Sequence, residues 1–203
     1  SLLLSLGMAV YAIENLPFID FRAYKIGVNI PVNMQPSAPM VYTYVMKKGE
    51  EVVYLDQYPT DEGYEFVEMT LNNPEALPKI SDFAAWNPTG DQAEYLFQGN
   101  KVILLSSNLS KMSSENLDQL TQLFTSLEKA PVDLVFMAAA TQEEIDAVIA
   151  KYGWKIQGLQ ADATVVKTIM RANPGIMILK DGVVVQKYHH NNTPEALEVL
   201  ELF

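Results

Sequence analysis

Side chains able to do chemistry are few here, and their spacing limits what they can do. His189 and His190 are the two histidines of the chain. An adjacent pair suggests metal ligands, or a general base near neutral pH. On an extended strand, however, neighbouring side chains point to opposite faces, so the two are not expected to share one ion. The plainer reading is a polar strand end ahead of a helix cap. Ser113 and Ser114 stand before a helical pattern and raise the question of a hydrolase. No Gly-x-Ser-x-Gly elbow surrounds them, and helix capping accounts for both. Glu143-Glu144 and Asp61-Glu62 read as first-turn or loop positions. Neither belongs to a calcium loop of the Asp-x-Asp-x-Asp-Gly type. The phosphate loops GxxxxGK and GxGxxG do not occur. No catalytic residue, no metal site and no cofactor is therefore expected.

Composition narrows the field further. Cysteine is absent from all 203 residues. That removes a thiolate nucleophile, a CxxC redox pair, a cysteine-ligated metal and any disulfide framework. Lys and Arg number 14 and Asp and Glu 25, giving a net charge of −11. Nucleic-acid binders need a basic face to track phosphates, so no nucleic acid is expected as a partner. A hydrophobic content of 49% with 19% charged residues is that of a globular chain.

The elements that must position these residues come in two styles. Leu2–Ile13 is apolar and uncharged, then Glu14-Asn15-Leu16-Pro17 ends it. Twelve residues of helix reach about 18 Å, short of the roughly 20 residues that span a bilayer. Two readings stand: the end of a membrane helix, or a buried N-terminal helix. Pro17 to Pro39 reads as an extended connector. Residues 40–55 predict a hairpin turning at Lys48-Gly49, and Tyr64–Met69 a third strand. From Leu77 the grammar becomes alternating strand and helix. Val102–Leu105 is a continuous apolar run, as in a strand covered on both faces. Leu117, Leu120, Leu123, Phe124 and Leu127 form one helical stripe. Val132–Met137 is a second strand, and Thr141-Gln-Glu-Glu144 a capping box. A short helix is expected over Ala163–Arg171. Asn173-Pro174-Gly175 breaks the chain, and Lys180-Asp181-Gly182 joins two strands in a tight hairpin. Thr193-Pro194 is expected to start the last helix. The first crossover should make its two strands parallel.

This order resembles the thioredoxin fold. Asn173-Pro-Gly-Ile-Met-Ile-Leu-Lys-Asp-Gly182 looks like that fold's segment in which a cis-proline opens a short strand leading into the last hairpin. The resemblance implies that Pro174 is cis. Pro78-Lys-Ile-Ser-Asp-Phe83, the Gly90 turn and Gly99–Leu105 look like the entry hairpin of the peroxiredoxin/TlpA branch. A wider resemblance is to the C-terminal region of DoxX-family membrane proteins of Bacteroides and relatives. It is carried by Leu16-Pro-Phe-Ile-Asp-Phe-Arg-Ala-Tyr-Lys-Ile-Gly27, Tyr58-Pro59, Ile80-Ser-Asp-Phe83, Lys167–Gly175, Leu179–Gly182 and Asn191–Pro194.

Together the resemblances imply an α/β architecture in three parts. Residues 1–15 are the end of a transmembrane helix, 16–76 a connector with a small β-rich segment, and 77–203 a thioredoxin-like domain. They place the chain in a bacterial inner membrane, its soluble domain facing the periplasm, with the membrane reached through the N-terminal helix. Aligned with thioredoxins, Lys111 and Ser114 fall near the two redox cysteine positions. Neither side chain can attack a disulfide. Thioredoxin-like proteins often hold an extended peptide beside the cis-proline. That implies a peptide site of Asn173 and Pro174 on one side and Lys111, Met112, Ser113 and Ser114 on the other, unless the groove is vestigial. Two functions follow. One is a non-catalytic binding or assembly module. The other is part of a membrane thiol-disulfide oxidoreductase whose cysteines lie elsewhere in a longer protein.

Overall fold

The computed structural model describes Tyr11, residues 14–17 and residues 19–203. Leu2–Ile13, Tyr11 excepted, thus lies outside the described residues. Among the described residues no helix is long and apolar enough to cross a membrane. The chain forms two compact units, one of residues 1–31 and 82–203, the other of residues 32–81. A short helix α1 (Ile30–Asn33) lies in sequence at the first boundary.

The 32–81 unit is a three-stranded antiparallel sheet. Strands β1 (Tyr42–Lys48) and β2 (Glu51–Leu55) form the expected hairpin. Gly49 at its turn has φ +66°, a conformation open to glycine at no steric cost. Strand β3 (Glu65–Leu71) pairs on the other side of β1, with a bulge at Val45/Met46.

The larger unit is built on a seven-stranded sheet. Strands β4 (Trp86–Asn87) and β5 (Gly90–Asp91) are a minimal hairpin at one edge. Helix α2 (Ala93–Leu96) leads to β6 (Asn100–Ser106), an interior strand. Helix α3 (Leu117–Leu127) crosses over to β7 (Asp133–Ala138), and α4 (Gln142–Tyr152) to β8 (Gln157–Gln160). Strands β6, β7 and β8 are parallel. Helix α5 (Ala163–Ile169) precedes β9 (Gly175–Lys180), which runs antiparallel beside β6. Strand β10 (Val183–His189) folds back on β9, and α6 (Ala196–Leu200) closes the chain. The strand order is β10-β9-β6-β7-β8-β4-β5, and the Asn173–Pro174 bond ahead of β9 is cis. This is a thioredoxin-like α/β fold, a mixed sheet flanked by helices, with a small antiparallel sheet before it in sequence.

Period-two alternation gives β6 and β7 two apolar faces. Val102, Leu104, Leu134 and Phe136 join Leu120, Phe124 and Leu127 of α3 and Trp154 in one core. Ile103, Leu105, Val135 and Met137 alternate with them and are fully buried as well. Trp154 meets Phe124 and Phe136 edge to face at 5.4 and 5.8 Å, and its indole N–H donates to Thr121 Oγ1 at 2.8 Å. Its polar tip is thus satisfied while its body is buried.

Several expectations are corrected. Ser113 and Ser114 do not cap α3. The helix begins at Leu117, and its N-cap is Asn116 in a left-handed conformation. Ser113 Oγ instead accepts from Glu115 N–H at 3.2 Å. Thr193 does not cap α6 either: Glu195 occupies that position, and Thr193 Oγ1 donates to the His190 carbonyl at 2.9 Å. Strand β8 has no signature in the sequence, because Gln-Gly-Leu-Gln has neither alternation nor β-branched residues. Residues 24–30 are no free connector. Gly27 N–H donates to the Val184 carbonyl at 2.7 Å, Val184 N–H to Val28 at 2.9 Å and Ile30 N–H to Gly182 at 2.9 Å. The segment therefore lies along the open side of β10. By contrast the Thr141–Glu144 capping box forms as expected. So does the β9–β10 turn, where Asp181 and Gly182 both have positive φ.

Candidate functional site

In a thioredoxin-like fold, chemistry would be sought where the loop after β6 faces the cis-proline. Strand β6 ends at Ser106, fully buried. A 3₁₀ turn follows over Leu109–Lys111, before the chain reaches α3. The structure brings this loop and Asn173 together. Asn173 Oδ1 accepts from Ser106 Oγ at 2.8 Å and from Ser107 N–H at 3.2 Å. Its amide group donates to the Asn108 carbonyl at 2.9 Å. Asn108 in turn caps the 3₁₀ turn, accepting from Lys111 N–H at 3.1 Å and Ser110 Oγ at 2.7 Å. The Asn173 main-chain carbonyl accepts from Ser113 N–H at 2.9 Å.

Each residue of the expected peptide site can now be placed. Pro174 is buried and Asn173 half-buried. Met112 packs partly against the core, and Ser113 is half-buried. Lys111 and Ser114 are exposed. Ser113 and Asn173 are in direct contact through the backbone. The Asn173 carbonyl is therefore already engaged by the chain's own loop. With hydroxyls and an ammonium in place of thiols, the site can hold hydrogen bonds but cannot carry electrons.

No protein-family model and no curated protein matches the chain. Its likenesses are to solved structures. One is a thiol-disulfide oxidoreductase from Bacteroides fragilis, 14% identical, covering 60% of this chain and 97% of that one with a TM-score of 0.45. Another is a thioredoxin-like protein from Aeropyrum pernix, 13% identical over 60% of this chain and 87% of that one, TM-score 0.45. A thiol:disulfide interchange protein from Bacteroides sp. is 11% identical over 51% and 74%, TM-score 0.40. Such identities speak to fold alone. The fold itself rests on the strand order and the cis-proline described above.

Two further polar clusters are present, the first without a chemical signature in the sequence. The first lies in the Asp20–Gly27 segment. Asp20 Oδ1 accepts from Arg22 Nε at 2.7 Å, while Oδ2 accepts from Arg22 Nη2 and from Lys187 Nζ, both at 2.8 Å. Lys187, on β10, is buried and also donates to the Tyr24 carbonyl at 3.2 Å. Burial alone would raise the Asp20 pKa. Hydrogen bonds from Arg22, then Lys187, outweigh it and hold the carboxyl well below the usual range. Burial lowers the Lys187 ammonium, against the support of Asp20. Tyr24 is fully buried and donates to Asp82 Oδ1 at 2.9 Å. Burial, with Asp82 adding, pushes its phenol above the ordinary value. The Asp-x-Arg-x-Tyr spacing of residues 20–24 was the only available signal. Nothing in Lys187 itself announced its partner.

The second cluster is the histidine pair, and it corrects the opposite-faces expectation. Strand β10 ends at His189, His190 opens a 3₁₀ turn, and the rings lie 4.2 Å apart, tilted by 35°. Both are buried. His189 Nδ1 accepts from Asn191 N–H at 3.2 Å. Burial, then His189, lowers the His190 pKa, against a smaller opposing pull from Glu115. Among the described residues no group of three His, Asp or Glu is placed to hold a metal ion.

Proposed function

We propose that the chain is a non-catalytic, thioredoxin-like binding and assembly module of a DoxX-like bacterial inner-membrane protein, with its soluble part on the periplasmic side. The observation that carries the non-catalytic reading is the Ser113 N–H bond to the Asn173 carbonyl in a chain without cysteine. The loop that bears the thiols of an active thioredoxin here closes on the cis-proline. Disulfide exchange requires a thiolate attacking sulfur, and no residue can supply one. A peptide partner docking as an added strand would have to displace Ser113, so binding at this groove is weak or needs loop opening. The membrane reading is supported by the uncharged run Leu2–Ile13 and by the resemblance of Leu16–Gly27.

Two measurements test the proposal. In a thiol-driven reduction of a protein disulfide, the chain should give no acceleration over a heat-treated control. Turnover would overturn the non-catalytic reading. The full gene product should fractionate with inner membranes and be cut by protease added to spheroplasts. A soluble or protease-protected product would overturn the membrane placement.

A further inference from the structure

A cavity of about 360 Å³ opens beside the Asp20–Lys187 ion pair. Arg22, Lys25 and Lys187 bring three cations to its lining, and Asp20 is the one carboxylate there. Both oxygens of that carboxylate are already taken by Arg22 and Lys187. Arg22 Nη1 is left buried with no hydrogen-bond partner. Lys25 is exposed and makes no ion pair among the described residues. Two positive charges are thus uncompensated at one spot of a chain whose net charge is −11. A site holding excess cations favours an anion. Leu16, Ile19 and Ile26 supply the apolar part of the lining. Ile19 is 65% exposed and Phe21, two residues on, 88%, an unusual amount of exposed apolar surface.

We propose that this cavity binds a phosphate ester bearing an apolar chain, as in an anionic phospholipid headgroup. Arg22 and Lys25 hold the phosphate, Arg22 turning its buried, unpartnered Nη1 towards it, and Leu16, Ile19 and Ile26 contact the apolar chain. Arginine suits this task because its planar fork meets phosphate oxygens in pairs. Residues 16–26 are separated by just two residues from the uncharged run Leu2–Ile13, so on the membrane reading above the cavity stands at headgroup level. A soluble lipid monomer probes the cavity without a membrane, so the failure of one reading is distinguishable from the failure of the other.

The experiment is calorimetric titration of the chain with monomeric dihexanoyl phosphatidic acid, dihexanoyl phosphatidylcholine and inorganic phosphate. Saturable binding of phosphatidic acid, much tighter than of the other two, is expected. It should weaken with added salt. Lys25→Gln removes one exposed charge without touching the ion pair, and should weaken binding about fivefold. Ile26→Ser should weaken the lipid while leaving any inorganic phosphate binding unchanged. Thermal melting confirms that both variants fold. Equal affinity for inorganic phosphate would overturn the amphiphile and leave a free-phosphate site. Equal affinity for phosphatidylcholine, or no effect of Lys25→Gln, would overturn the role of the cations. No binding of any probe overturns the proposal.

Discussion

Asn173 is the residue on which the loop after β6 depends. Its side chain engages Ser106, Ser107 and Asn108, and its carbonyl engages Ser113. Asn173→Ala removes the side-chain bonds and strands the buried Ser106 hydroxyl. A loss of about 2–3 kcal/mol in urea unfolding is expected. Asp20 is the second such residue. Removing it leaves Arg22 and the buried Lys187 facing each other without a counter-charge. Asp20→Ala should cost about 3–5 kcal/mol, more than Lys187→Met, which still leaves Asp20 paired with Arg22. Equal losses would show that the pair acts through packing alone. His190 sets a pH dependence. Its folded pKa lies below the ordinary value of 6.5, so between the two the unfolded chain binds the extra proton. Its stabilising contribution is complete above about pH 6.5 and fades as pH falls towards the folded value. His190→Phe keeps a ring against His189 and should flatten the pH dependence of the melting temperature in that window. An unchanged slope would assign it to other groups.

At the scale of elements, the start of α3 matters most. The helix begins at Leu117, and Lys111 sits in a separate 3₁₀ turn. Reactive cysteines owe their low pKa partly to a helix N-terminus. A chain carrying Lys111→Cys and Ser114→Cys therefore lacks that stabilisation for either thiolate. It should show no catalysis of protein disulfide reduction, and robust turnover would mean that the loop rearranges to extend the helix. The contact of α4 with β8 gives a second element-scale test. A Cβ built at Gly158 falls 2.7 Å from Ile145 Cγ2 and 3.1 Å from Ile149 Cδ1. Gly158→Ala should thus push α4 off the strand and cost about 1–3 kcal/mol. In the same helix, Thr141→Ala opens the capping box and should cost about 1 kcal/mol.

At the scale of the whole molecule, the two units differ in how much they bury. Between residues 32 and 81 the buried apolar side chains are Met46, Ala76 and Ile80, whereas every residue from Val102 to Leu105 is fully buried. Stability follows buried apolar area, so local opening should be easier in the three-stranded sheet. Hydrogen exchange is expected to protect β6, β7 and β9 by orders of magnitude more than β1 and β3. Equal protection in both sheets would mean that the chain opens as one cooperative body.

By itself the sequence determined the features that depend on near neighbours. Alternation and apolar runs specified β6 and β7, the stripe Leu117–Leu127 specified α3, and Thr141–Glu144 and Asp181-Gly182 specified a cap and a turn. These are local energies, legible within a few residues. The absence of thiol chemistry was likewise a matter of composition, and Pro174 was legible through a resemblance in register. Tertiary structure alone decided what distant partners impose. Strand β8 exists because β7 offers an unpaired edge to a segment with little strand preference of its own. The buried Lys187 is held by Asp20, 167 residues away, and the histidine rings meet because the chain turns from strand to 3₁₀ helix between them. Ser113 is no cap because the helix starts only at Leu117, and its backbone is tied instead to the distant Asn173 carbonyl. Each of these outcomes turns on a long-range hydrogen bond or charge, whose partner no local pattern names.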